Sequence, residues 1–254
     1  MLLRDVTPIL MCGGEGKRLR PFSTKKCPKP FIRTIGRESL FQKTISRVSA
    51  CASPIILTRK DLKSLITAQA GNIKMVLEPV AKNTAPAIIK ACLESENQDT
   101  PYLFMPADHD ISDISPLLEA IKNIDDKGDV ITLFGISPTS PETRYGYIGQ
   151  SPVAFHEKPN KEMAKSYIEK GYLWNSGMIL ASPRTILNEA KKHVPELLSL
   201  VKDNNYEEIA PISFDYAILE KSSIIKCVRV DLTWRDVGTL KSYLSYIYKP
   251  YDNR

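Results

Sequence analysis

Residues 9–31, ILMCGGEGKRLRPFSTKKCPKPF, constrain the fold more than any other part of this chain. They begin inside an apolar run, residues 6–12, with the length and residue types of a buried parallel strand. The run breaks at Gly13, Gly14 and Gly16, where a missing Cβ lets the backbone turn sharply and bring its N–H groups near a ligand. Lys17, Arg18 and Arg20 follow at once, then Lys25, Lys26 and Lys29. A glycine loop that leaves a strand and is followed by cations is a place to hold a polyphosphate.

Spacing separates this loop from two better-known phosphate binders. Lys17 follows Gly14 and Gly16 too closely for G-x-x-x-x-G-K-[ST], and Leu19 stands where G-x-G-x-x-G needs its third glycine. Taken alone, the loop also reads as a surface turn with a solvated basic face.

At 254 residues the chain is long enough for one large α/β domain, with no room for a second of full size. Its net charge of +6 suits acidic small molecules as well as weak nucleic-acid contact, so charge alone does not choose. The cations cluster in one loop with no aromatic platform between them, which argues against a nucleic-acid partner. No apolar run approaches the roughly 18 residues of a membrane span, and the N-terminal residues MLLRDVTP do not read as a signal peptide. The five cysteines (12, 27, 51, 92 and 227) are scattered and lack C-x-x-C spacing, which argues against a disulfide framework or zinc site and points to a reducing cytoplasm.

Apolar runs at 6–12, 54–58, 73–78, 102–106 and 130–136 read as strands, with helical stretches such as 40–50 and 116–125 between them. Ser115 before Pro116 reads as an N-cap followed by proline at the first helical position. This alternation predicts a Rossmann-like, mostly parallel mixed sheet flanked by helices, in a single α/β domain. The second half carries shorter strands at 147–149, 153–156 and 178–181 around a helix at 161–170, capped by Asn160 and ended by Gly171.

Four further strings carry chemistry. EPVAKNTAPAIIKACL (78–93) ends a strand and enters a helix that Asn83 or Thr84 can cap, an ordinary helix entry on its face. MPADHD (105–110) closes an apolar strand with Asp108, at the strand end where open α/β sheets bind ligands. Asp236, in WRDVG, is a second carboxylate; either could instead be a cap or a solvated turn residue. In FHEKP, strand alternation puts Glu157 opposite His156 and Lys158 on the same face as His156, where a surface ion pair is the plain reading.

The whole pattern resembles the sugar-1-phosphate nucleotidyltransferases, whose signature G-G-x-G-x-R-L-x-P followed by P-K-P is matched by residues 13–30, with Arg20 where many relatives have tryptophan. The resemblance covers about residues 6–243 and implies a nucleotide-binding part, about 1–140, and a sugar-binding part, about 141–240. It implies that Gly13, Gly14 and Gly16 wrap a nucleoside triphosphate and that Arg18 and Lys29 act on its phosphates. E-P-x-x-x-N-T-A-P-A is similar to the base-recognition segment of the mannose-1-phosphate guanylyltransferase branch, carried here by Asn83, Thr84, Ala85 and Pro86, with Lys82 in place of the usual arginine. Asp108 and Asp236 match the two aspartates that hold Mg²⁺, with His109 as a neighbour that orients Asp108. E-K-P implies that Glu157 holds sugar hydroxyls and Lys158 the sugar phosphate. Gly146, Asn175 and Gly177 match sugar-pocket strings, and Asp215, in FDYAILEK, caps a helix or helps to build that pocket.

The reaction so implied is GMP transfer from GTP to mannose 1-phosphate, giving GDP-mannose and pyrophosphate with magnesium. It implies no nucleic-acid or membrane partner and allows a homodimer. The resemblance extends to no C-terminal isomerase or β-helix domain, since only KPYDNR follows Tyr248. Two alternatives stay open: another pair, such as UTP or dTTP with glucose 1-phosphate, or a non-catalytic sugar-nucleotide-binding regulator.

Overall fold

The computed structural model describes residues 1–14, 19–33, 38–124, 129–150 and 153–248. Eleven strands are found among them: β1 (Thr7–Met11), β2 (Ile55–Arg59), β3 (Met75–Glu78), β4 (Tyr102–Pro106), β5 (His109–Ile111), β6 (Ile131–Ile136), β7 (Tyr147–Gln150), β8 (Val153–His156), β9 (Leu173–Ala181), β10 (Ile225–Arg229) and β11 (Trp234–Asp236). The α-helices are α1 (Leu40–Arg47), α2 (Lys63–Ala70), α3 (Thr84–Leu93), α4 (Ser115–Lys122), α5 (Lys161–Glu169), α6 (Pro183–His193), α7 (Pro195–Lys202) and α8 (Leu240–Tyr248).

The main sheet runs β10-β6-β9-β4-β1-β2-β3, with the β7–β8 hairpin attached along β9. Strands β4, β1, β2 and β3 are mutually parallel, as are β6 and β10. Strand β9 lies antiparallel between β4 and β6, so the two halves of the chain share one hydrogen-bonded sheet. The expected mixed, mostly parallel sheet is the observed one.

Both faces of that sheet are covered at its centre, which is why β1, β4 and β6 are apolar, whereas edge strand β10 keeps Lys226 and Arg229 exposed. Ile9, Leu57, Phe104, Leu133 and Ile179 point into one core. Their neighbours Leu10, Ile56, Leu103, Phe134 and Leu180 point into the other, as the two-residue period of a strand requires. Helices α3, α6 and α7 close the first core, and α1, α2 and α4 the second.

Local chemistry explains most helix starts. Ser39 and Gln42 form a reciprocal capping box on α1. The Asn160 side chain accepts from Met163 N–H at 2.8 Å, and Gly171 follows α5 with φ +75°, both as expected. Ser115 does not cap α4. It is the first helical residue, Ile114 occupies the cap position, and Asp113 Oδ1 accepts the Ser115 N–H at 2.8 Å.

The second half departs further from expectation. The strand expected at 178–181 is the end of nine-residue β9, whose pairing with β6 shifts register between Leu133 and Gly135. Gly177, at φ +73°, sits in that irregularity, and the Ser176 hydroxyl donates to Phe134 O at 2.6 Å. The segment holding Asp215 is a π-helix, Asp215–Leu219, and Asp215 makes no side-chain cap.

Candidate active site

The carboxyl ends of the four parallel strands β1 to β4 open onto a cleft of about 550 Å³, lined there by Met11, Leu57, Glu78 and Pro106. Gly13 and Gly14 leave β1 along its wall, and Asn83, Thr84 and Ala87 bring the start of α3 to it. Ala85 and Pro86 are buried in the first turn of α3 and do not line the cleft. Gly16 and Arg18 lie outside the described residues.

Lys29 joins the cleft's two aspartates. It begins a short 3-10 turn, Lys29–Phe31, and is only 4% exposed. Its Nζ donates to Asp108 Oδ2 at 2.8 Å and to Asp236 Oδ1 at 3.3 Å. Burial raises the Asp108 carboxyl, but the charges of Lys29 and His109 and the Lys29 hydrogen bond outweigh it and hold the group at about 2. Asp108 is therefore an anion throughout the neutral range.

A separate two-stranded ribbon sets this spacing. Strands β5 and β11 pair antiparallel, with Asp236 opposite His109, Arg235 opposite Asp110 and Trp234 opposite Ile111. Trp234 Nε1–H donates to His109 Nδ1 at 3.1 Å, so a neutral His109 carries its proton on Nε2. Burial lowers the His109 pKa against the pull of both aspartates. His109 Nε2 lies 4.0 Å from Asp108 Oδ1, beside the carboxylate as expected of a neighbour. A Cβ at position 238 would come within 2.8 Å of Asp236 Oδ2, which explains the glycine of WRDVG.

Two carboxylates that one cation already bridges are a suitable donor set for Mg²⁺, which takes one or two protein carboxylates and fills its octahedron with phosphate oxygens and water. Among the described residues no group of three or more His, Cys, Asp or Glu side chains is arranged for a metal ion, so an all-protein cage is not what these residues build.

Sequence reasoning passed over Glu78 as a site residue. It ends β3 on the cleft wall, is 3% exposed, and its Oε1 has no hydrogen-bond partner. Burial pushes its carboxyl up to about 8 against the opposing charges of Lys90 and Arg59. The available signal was its place as the last residue of an apolar strand whose neighbours end in the cleft.

The residues expected on the sugar side lie next to this cleft. Asn175 Nδ2–H donates to Asp215 Oδ1 at 3.1 Å, while Asn175 Oδ1 accepts Gly177 N–H at 3.0 Å. Gly146 O accepts Asn175 N–H at 2.8 Å, and a Cβ on Gly146 would meet Glu157 Oε2 at 2.8 Å. Burial, then the Glu157 charge, raises the Asp215 carboxyl above the usual range. A Cβ on Gly177 would meet the Pro106 ring at 3.2 Å and His109 Cε1 at 3.6 Å, so the two groups of residues abut there.

Lys158 is not on the face of His156. Strand β8 ends at His156, and Lys158 takes the left-handed conformation, φ +46°, which breaks the alternation. Its Nζ bonds to Glu157 Oε1, and its side chain stays half exposed. His156 stacks on Tyr167 at 4.9 Å. The pair expected from the sequence forms, but on the Glu157 side.

Comparison with known proteins agrees with this geometry. The model of the family described as Nucleotidyl transferase matches residues 7–251. The mannose-1-phosphate guanylyltransferase of Sinorhizobium fredii is 34% identical over 94% of this chain and 54% of its own length. That of Klebsiella pneumoniae is 34% identical over 91% of this chain and 58% of its own length. This chain thus spans somewhat over half the length of the curated relatives it matches. A Thermus thermophilus structure described as mannose-1-phosphate geranyltransferase superposes with a TM-score of 0.85 at 29% identity, covering 92% of this chain and 76% of the other. A Helicobacter pylori structure described as mannose-6-phosphate isomerase gives 0.80 at 26% identity, covering 91% and 99%. With its strand-end cleft and its match along nearly the full length, the chain belongs to the nucleotidyl transferase family.

Proposed function

We propose that this protein transfers GMP from GTP to mannose 1-phosphate, forming GDP-mannose and releasing pyrophosphate. The observation that carries this reading is Lys29 held between Asp108 and Asp236 in a strand-end cleft that abuts the Glu157–Lys158 and Asn175–Asp215 groups. The names of the relatives from Sinorhizobium fredii and Klebsiella pneumoniae support the same pair of substrates.

The chemistry asks little of a general base. A sugar phosphate has a second pKa near 6, so at neutral pH its oxyanion is already the nucleophile. Its oxygen bonds to the α-phosphorus of GTP as the bond from that phosphorus to the β-bridging oxygen breaks, and pyrophosphate leaves with the electron pair. The difficulty is bringing two polyanions together in line, which positioning and fixed positive charge relieve. Lys29, buried and pinned at the cleft, offers charge to the triphosphate; Lys158 steadies the incoming phosphate. Asp108 and Asp236 would hold Mg²⁺, which when bound supplies charge compensation to the phosphate oxygens.

Base choice is supported by Glu78. Guanine offers two adjacent donors, N1–H and the N2 amino group, which an ionised carboxylate accepts together, so Glu78, protonated at neutral pH in the free chain, would give up its proton as the base seats. Uracil and thymine offer one donor between two acceptors, a pattern that a carboxylate matches poorly. Glu78, without a partner on Oε1 and facing the cleft, is suited to the first pattern. The expected compartment is the cytoplasm, in line with the scattered cysteines, and no described helix is long and apolar enough to cross a membrane.

A pyrophosphate-release panel tests the reading: GTP, ATP, UTP, CTP and dTTP, each with several sugar 1-phosphates and magnesium. GTP with mannose 1-phosphate should give the highest kcat/KM. Pyrophosphate release from no pair would overturn it. An isomerase assay on mannose 6-phosphate, run alongside, checks the activity named for the Helicobacter pylori protein; turnover there without pyrophosphate release would replace this reading.

A further inference from the structure

The base side and the sugar side of the cleft are tied together by one short strap, residues 212–215. Ile212 N–H donates to Lys82 O at 3.2 Å, and Ala85 N–H donates back to Ile212 O at 3.2 Å. Two residues later, Phe214 N–H donates to the Thr84 hydroxyl oxygen at 2.8 Å. The first two bonds are backbone to backbone; the third hangs on a side chain that also lines the nucleotide cleft.

Asp215 comes next along the chain, and it accepts the Asn175 amide. It also opens the π-helix, where Glu220 N–H donates to Asp215 O at 3.0 Å. Single π turns are rare and cluster at functional sites because the extra residue strains the helix. Through Asn175 the link reaches Gly177, packed on Pro106 at the cleft wall. Any displacement of Thr84 is therefore passed through one peptide unit to the carboxylate that orients the sugar-side amide.

We propose that Thr84 is a positioning residue for the sugar-phosphate site: a nucleotide seated against the start of α3 fixes the Thr84 hydroxyl, and that hydroxyl fixes Phe214 and Asp215 for the second substrate. The proposal rests on the GTP and mannose 1-phosphate reading above and adds to it a coupling between the two sites. Such coupling is reciprocal and is commonly about 5- to 150-fold in affinity. Valine has the size of threonine without the hydroxyl, whereas serine keeps the hydroxyl.

The test is the affinity of the full chain for mannose 1-phosphate by titration calorimetry, without nucleotide and at saturating non-hydrolysable GTP analogue. The ratio of the two dissociation constants is the coupling factor, whatever each variant's affinity for the nucleotide itself. Wild type should show a factor of at least about 5, Thr84→Ser should keep it, and Thr84→Val should bring it near 1. A factor near 1 in wild type overturns the proposal, as does an unchanged factor in Thr84→Val. Equal loss in Thr84→Ser and Thr84→Val overturns it too, since the hydroxyl is then not responsible. Failure of the functional reading looks different: wild type binds no mannose 1-phosphate under either condition, and both proposals fall together.

Discussion

Asp236 lies directly opposite His109 in the antiparallel β5–β11 ribbon, which sets it within reach of the same ammonium that binds Asp108. Two carboxylates 128 residues apart in sequence thus meet because two three-residue strands pair, not because either lies in the main sheet. Lys29 is the fixed point between them.

Removing that fixed point should be visible in acid. The Asp108 pKa is about 2 in the folded chain against 3.8 for an ordinary aspartate, so its contribution to stability is present above about 3.8 and lost as pH falls through 2. In Lys29→Met only burial and the weaker neighbours remain, and the carboxyl moves upward. The acid-unfolding midpoint should rise by on the order of half a pH unit. Circular dichroism against pH checks this; an unchanged midpoint would mean that Lys29 does not hold Asp108.

Glu78 has the opposite sign. Its folded-state pKa of about 8 lies above the ordinary 4.5, so the folded chain is favoured most below about 4.5 and loses stability as pH rises towards 8. Glu78→Gln removes the titration, and its stability should be flatter between pH 5 and 8, with a gain over wild type of about 1–3 kcal/mol at the upper end. Urea unfolding at three pH values would show it. The same variant should lose preference for GTP over UTP.

Much of this site is legible in the sequence because its groups are fixed by local chemistry. Asp108 sits two residues past the end of an apolar strand, Lys29 follows a glycine loop, and Asn160 and Gly171 bracket a helix by capping rules alone. What was not legible depends on distant partners. The neutral state of Glu78 comes from burial by residues far along the chain, and the irregularity in β9 appears only against β6. Lys158 changes face because β8 stops at His156, which strand alternation cannot foresee. Ser115 lost its capping role to a helix that starts one residue early.

Lys158 carries the sugar-phosphate assignment. Deleting one such charged donor typically costs on the order of 3 kcal/mol, or about a hundredfold in rate. Lys158→Ala should lose that much in kcat/KM for mannose 1-phosphate and much less in the GTP term, because its Nζ bonds Glu157 rather than any residue lining the nucleotide cleft. Steady-state kinetics with each substrate varied in turn separate the two, and near-wild-type values would refute the assignment.

Gly177 offers a steric test of how the two sides abut. Its φ of +73° is costly for any residue with a Cβ, and that Cβ would stand 3.2 Å from Pro106. Gly177→Ala should lose about 1–2 kcal/mol of stability and weaken mannose 1-phosphate more than GTP. Chemical denaturation combined with the two Michaelis constants checks both halves of that statement.

The central claim, that Asp108 and Asp236 act as one anionic pair serving a metal-assisted transfer, is tested most directly by magnesium titration. Pyrophosphate release from GTP and mannose 1-phosphate should be followed against Mg²⁺ concentration in wild type, Asp108→Asn and Asp236→Asn. Each variant should need at least about tenfold more magnesium for half-maximal rate and reach no more than about a hundredth of the wild-type plateau. Variants that retained the wild-type magnesium dependence and plateau would contradict the account.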